Sequence, residues 1–158
     1  MHAYSGYSPI PTSWIGDYGA NNHVTYDLSA LNNLAPYSGS DNFYVGDGTS
    51  LLISNIGSIM LSNVITSDYV LRNVLYVPTI SQNLLSVYWF VCDNNCVLIF
   101  TSTGFLVKDS TIERILYQDP VKNGLYLFEA CSTTTLIACL ATKAPLALRW
   151  SSLSSYHD

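Results

Sequence analysis

The chain has 158 residues, 49% hydrophobic and 11% charged, with a formal net charge of −5. That length suits one domain burying roughly two thirds of its unfolded surface, and the hydrophobic share excludes a disordered chain. The six Lys and Arg stand singly at 72, 108, 114, 122, 143 and 149, so no basic stripe offers phosphate contacts and nucleic-acid binding is not expected.

Tyr is abundant, Ser, Thr, Asn and Val are frequent, and Glu, Lys, Arg and Gln are scarce, which favours strands and turns over helices. Residues 1–13 carry two prolines and no periodicity, and read as a linker or tail. Trp14-Ile15-Gly16-Asp17 reads as a first strand that ends in the turn Tyr18-Gly19-Ala20. An aspartic protease needs this arrangement, in which a strand delivers one carboxylate to a tight loop and glycine allows close backbone approach. Two such halves share a proton, because like charges that close cannot both ionise.

His23-Val24-Thr25-Tyr26 continues the strand pattern, with His23 expected to play a structural, hydrogen-bonded role at the loop base. One helical turn is expected over 27–31 with Asp27 as N-cap, then loop over 32–42. Phe43-Tyr44-Val45 and Leu51-Leu52-Ile53 flank Gly46-Asp47-Gly48-Thr49-Ser50, a hairpin signal whose Asp-Gly pair is expected to take positive φ at both turn positions. Strands follow over 56–61, with Gly57 as a bulge or close approach, over 69–71 and over 74–77, stopped by Pro78. A short helix is expected over 83–87 with Ser81 as cap, then short strands over 97–100, 105–108, 115–118 and 125–128. The whole reads as an all-β barrel or sandwich.

Tyr44, Tyr69, Tyr76, Tyr88, Trp89 and Tyr126 read as core and barrel-surface packing, since no basic residues interleave with them as in a base-stacking platform. Asp47 is explained by turn geometry, Asp109 and Glu113 form no second acid pair with Asp17, and no nucleophile elbow supports a serine hydrolase. The four cysteines, at 92, 96, 131 and 139, lack a second pair at zinc-site spacing and read as buried free thiols in a reducing compartment. No basic start precedes an apolar run at the N-terminus, and the stretch 135–148 is broken by Lys143 and Pro145 and is too short to span a bilayer. No membrane partner, cofactor or metal is expected, and the chain reads as intracellular and cytoplasmic.

Four ordered blocks resemble the Pol polyprotein of copia-type long-terminal-repeat retrotransposons, over its protease region and the segment after it. They are Trp14-Ile15-Gly16-Asp17-Tyr18-Gly19-Ala20 running to His23-Val24-Thr25, and Val45-Gly46-Asp47-Gly48-Thr49-Ser50 running into Ile56-Gly57-Ser58. The third is Asn73-Val74-Leu75-Tyr76-Val77-Pro78 with Gln82-Asn83-Leu84-Leu85-Ser86-Val87, and the fourth is Asn123-Gly124-Leu125-Tyr126. The resemblance implies a small closed β-barrel of retropepsin-like type over 14–92, a strand meander over 93–130 and a degenerate pre-integrase tail over 131–158. It implies that Asp17 is the protease carboxylate, with Tyr18, Gly19 and Ala20 completing its loop. Gly46, Asp47 and Gly48 would form the flap over a polyprotein peptide, and Leu84, Leu85 and Ser86 would support the loop.

A complete site would need a homodimer. The family has Ser or Thr where Tyr18 stands, a hydroxyl that bonds across the dimer axis, so the expectation is a catalytically impaired protease-like domain. The alternative is an active homodimeric aspartic endopeptidase that processes its polyprotein. In the tail, Leu148, Trp150 and His157 correspond to the family's integrase entry, where a structural zinc would need four ligands.

Overall fold

The computed structural model describes residues 12–62 and 68–130. The strand bearing the acid, β1 (Thr12–Asp17), is the pivot of the architecture. On one side it pairs in parallel with β8 (Asn83–Ser86), which sets Asp17 beside Ser86 and Gly16 beside Leu85. On the other it pairs antiparallel with β12 (Leu127–Ala130), with Trp14 beside Phe128. The sheet continues from β8 through β2 (Val24–Thr25), β7 (Asp68–Tyr76) and β6 (Asn55–Ser62) to β3 (Asn32–Pro36), in the order β12-β1-β8-β2-β7-β6-β3. A hairpin of β4 (Phe43–Tyr44) and β5 (Ser50–Leu51) stands apart from it, as does an antiparallel sheet of β9 (Cys96–Phe100), β10 (Gly104–Asp109) and β11 (Ile115–Pro120).

The described residues are mostly β with one short α-helix, α1 (Val87–Asn94). The expected closed barrel is not seen: among the described residues no ladder joins β3 to β12, and these strands are the two ends of an open order. β3 suits an edge, for all five of its residues are exposed and Pro36 has no N–H to donate.

Alternation along the strands builds one main core. Trp14, Leu71, Val74, Leu85, Phe90 and Val107 are fully buried, and Phe105 and Phe128 join them, so β9–β11 and the large sheet share one interior. Each such side chain contributes about 1.5–3 kcal/mol relative to exposure. A smaller cluster of Val24, Ile53, Leu75 and Val77 lies under the other face. Gly57 has the close approach its sequence suggested: a Cβ there would lie 2.8 Å from the Asn32 carbonyl oxygen, and the β6–β7 register shifts between Gly57 and Ile59.

Several local expectations are corrected. Residues 32–36, read as loop, form β3 because pairing with β6 outweighs their Asn- and Pro-rich composition. Residues 83–86, read as helix, are strand, because β1 and β2 flank them and take their backbone bonds on both sides. The helix begins at Val87, with Ser86 in place of Ser81 as N-cap and Asn95 closing it in the left-handed region (φ 47°). The segments 69–71 and 74–77 merge into one strand that bends at Asn73 (φ 52°). Of the cysteines, Cys96 is buried, its thiol pushed up to about 11 by burial, whereas Cys92 is exposed. Cys131, Cys139 and the readings on Trp150 and His157 lie outside the described residues. Among the described residues no helix is long and apolar enough to cross a membrane.

Candidate functional site

Asp17 ends β1, and its loop is tied by one short bond. The Gly19 N–H donates to Asp17 Oδ1 at 2.7 Å, and a Cβ on Gly19 would stand 3.3 Å from the same oxygen. The next turn of chain is held from below. Trp89 on α1 donates its indole N–H to the Asn21 carbonyl at 2.9 Å, and His23 Nδ1 accepts the Ser86 N–H at 3.0 Å.

His23 is buried, and its acceptor role fixes the neutral ring with the proton on Nε2. Desolvation drives its pKa down to about 4, against a smaller upward pull from Asp93. Next to it, the Thr25 hydroxyl donates to Asn83 Oδ1 at 2.7 Å, and Asn83 Nδ2 donates to the Ser13 carbonyl at 3.2 Å. This buried polar pair stitches β2, β8 and β1 together at the loop base. The structural reading of His23 stands; the Thr25–Asn83 pair was not read from sequence, because both residues look like ordinary strand and turn polars.

The β4–β5 hairpin turns at residues 45–49. The Gly48 N–H donates to the Val45 carbonyl at 2.8 Å and the Val45 N–H to the Thr49 carbonyl at 3.0 Å. Only Gly48 takes positive φ (85°), so this is a type I turn followed by a glycine bulge, and the expected positive φ at Asp47 is corrected. Asp47 instead accepts the Thr49 N–H at 2.8 Å, and its hydrogen bonds to Thr49 hold its carboxyl below the ordinary carboxylate range.

A cleft of about 700 Å³ lies between the acid loop and this hairpin. Asp17, Gly19 and Ala20 line it from one side, Tyr44, Val45 and Gly46 from the other, and Ile53, Leu75, Ile80 and Leu84 supply apolar walls. Its charged lining is acidic only, from Asp17 and Asp41. The strand period divides the Leu pair: Leu84 reaches the cleft while Leu85 is buried in the core with Trp14 and Phe90. Ser86 is fully buried beside Asp17 in register, and Asp47 and Gly48 sit at the exposed hairpin tip, outside the cleft.

Tyr18 does not line the cleft. Its side chain is 74% exposed and its ring rests on Phe100 of β9, with centroids 5.2 Å apart.

An acid-bearing loop, a hairpin and Leu84 of β8 thus surround one cleft in a mostly β domain. The chain belongs to the family described as Pol polyprotein, beta-barrel domain, whose profile matches residues 14–96, just over half of the chain. It is 37% identical over 134 residues to the retrovirus-related Pol polyprotein from transposon RE1 of Arabidopsis thaliana, covering 84% of this chain and 9% of that protein. It is 36% identical over 121 residues to the corresponding polyprotein from transposon RE2 of the same plant, covering 77% and 8%. The chain therefore spans less than a tenth of the curated relatives it matches. No solved structure matches it.

Proposed function

We propose that the Asp17 loop, the β4–β5 hairpin and the cleft between them are a retropepsin-like peptide site whose chemistry is impaired in this chain by Tyr18. The observation that carries this reading is the shared cleft: an acid at a strand end, a hairpin opposite it and an apolar wall at Leu84. An extended peptide fits such a space, since hairpin backbone supplies hydrogen bonds and the walls take apolar side chains.

Catalysis would need a second carboxylate to share a proton with Asp17, and a second copy of the chain supplies one by symmetry. Ser or Thr at position 18 would offer a small hydroxyl near that axis, whereas Tyr18 carries a bulky ring. A displacement of about 1 Å at such a site already costs on the order of a hundredfold in rate.

The second reading is an active homodimeric aspartic endopeptidase acting on its own polyprotein, and one observation favours it. The Tyr18 ring is turned onto Phe100 and leaves the cleft beside Asp17 clear. A peptidase assay on peptides spanning the polyprotein junctions separates the two, with Asp17→Asn as control. Impairment predicts no cleavage by the native chain and cleavage by Tyr18→Ser. Cleavage by the native chain that Asp17→Asn abolishes, with a maximum in mildly acid solution, establishes the second reading. A Tyr18→Ser protein that folds, dimerises and stays inert contradicts the role given to Tyr18.

A further inference from the structure

We infer that the segment carrying β9 to β12 is a built-in clamp of the acid loop, in which Phe100 and Tyr126 are positioning residues that hold Asp17 within a single copy of the chain. The inference goes beyond the proposed function and does not depend on whether a peptide bond is cut.

Three contacts carry it, and all of them come from residues past 96, where the match to the family profile ends. The Gly16 N–H, one residue before the acid, donates to the Tyr126 carbonyl at 2.9 Å. A Cβ on Gly16 would stand 3.0 Å from the Phe128 ring, so a side chain at 16 would crowd β12. The Tyr18 ring, one residue after the acid, rests on Phe100.

Phe100 and Tyr126 are themselves fixed to one another. Their rings meet edge to face at 4.7 Å, and the Tyr126 hydroxyl donates to the Thr101 carbonyl at 2.8 Å. Asp17 thus has a contact on each flank, Gly16 through a backbone bond to Tyr126 and the largely exposed Tyr18 through its ring on Phe100. This gives the bulky residue at position 18 a role: its ring meets Phe100 within the same copy of the chain. An aromatic pair of this geometry shifts a local equilibrium by up to about tenfold.

The test uses the full chain and nuclear magnetic resonance. In the native protein, ring-to-ring proton contacts between Tyr18 and Phe100 are expected, and their absence overturns the clamp. Phe100→Ala should speed solvent exchange of the Gly16 and Gly19 amides by about tenfold while the Leu71 and Val74 amides, in the core, keep their rates. Phe100→Tyr should restore the native rates. On a Tyr18→Ser background, Phe100→Ala should add nothing at Gly19, because the Tyr18–Phe100 pair acts as a unit, while Gly16 should still respond through Tyr126. Unchanged Gly16 and Gly19 rates, or equal acceleration at Leu71 and Val74, contradict the inference. If Phe100→Ala does not fold, Phe100→Leu is read by the same criteria.

Discussion

The buried His23 makes stability depend on pH in a window that the other perturbed groups leave clear. In the folded chain its pKa is lowered to about 4, and in the unfolded chain it returns to the ordinary 6.5. Below 6.5 the unfolded state binds a proton that the folded state refuses, so its contribution is fully present above pH 6.5 and lost as pH falls toward 4. That difference of roughly 2.5 pH units corresponds to about 3 kcal/mol. The structural reason is specific: a proton on Nδ1 would face the Ser86 N–H and break the 3.0 Å bond at the loop base. The depressed carboxyls of Asp47 and Asp109 act in the same direction, but only below the ordinary carboxylate range. Urea unfolding at several pH values between 8 and 4 should show the native chain losing stability steeply below pH 6.5. His23→Asn, which keeps an acceptor without a titrating ring, should be less stable at pH 7 and nearly flat across the window. Equal slopes in the two proteins, or a His23 ring titrating near 6.5 by nuclear magnetic resonance, would rule out a buried ring held neutral at the loop base.

Four further outcomes follow from contacts in the fold. Asn83→Ala removes the acceptor of the Thr25 hydroxyl and the donor to Ser13, and should cost about 1–3 kcal/mol in chemical denaturation. Phe90→Ala, in the centre of the core between Tyr69 and Phe128, should cost about 3–5 kcal/mol by the same measurement. Gly104→Ala would bring a Cβ within 2.5 Å of the Asp119 carbonyl oxygen and should destabilise the chain by about 1–3 kcal/mol, with the changed amide shifts concentrated in β10 and β11. Asp47→Ala, at an exposed hairpin tip, should leave the unfolding midpoint nearly unchanged while increasing disorder at Thr49 in relaxation measurements.

Much of the candidate site was legible because it rests on local patterns. The strand ending at Asp17, the hairpin at Asp47 and the run Leu84-Leu85 are each announced by a few adjacent residues, and three of the four resemblance blocks meet at the cleft. What sequence did not show is decided by distant partners. Asn83 to Ser86 have no strand signal of their own and become strand because β1 and β2 stand on either side. Asn32 to Pro36 carry turn residues yet pair with β6 across the gap that Gly57 leaves. The closed barrel was an expectation of the resemblance; whether strands close depends on edge pairing across the whole chain, which no local pattern encodes. Nor could spacing show that Phe100, more than eighty residues beyond Tyr18, receives its ring.

The proposed function requires an extended peptide to seat in the cleft that Asp17 and the β4–β5 hairpin share. Titrating the labelled chain with a peptide that carries a hydroxyethylene group in place of one peptide bond tests this. Amide shifts at Gly19, Ala20, Tyr44, Gly46 and Leu84 should saturate together and weaken in Asp17→Asn. Saturable shifts confined to the far side of the sheet, or no shifts at millimolar peptide, would contradict it.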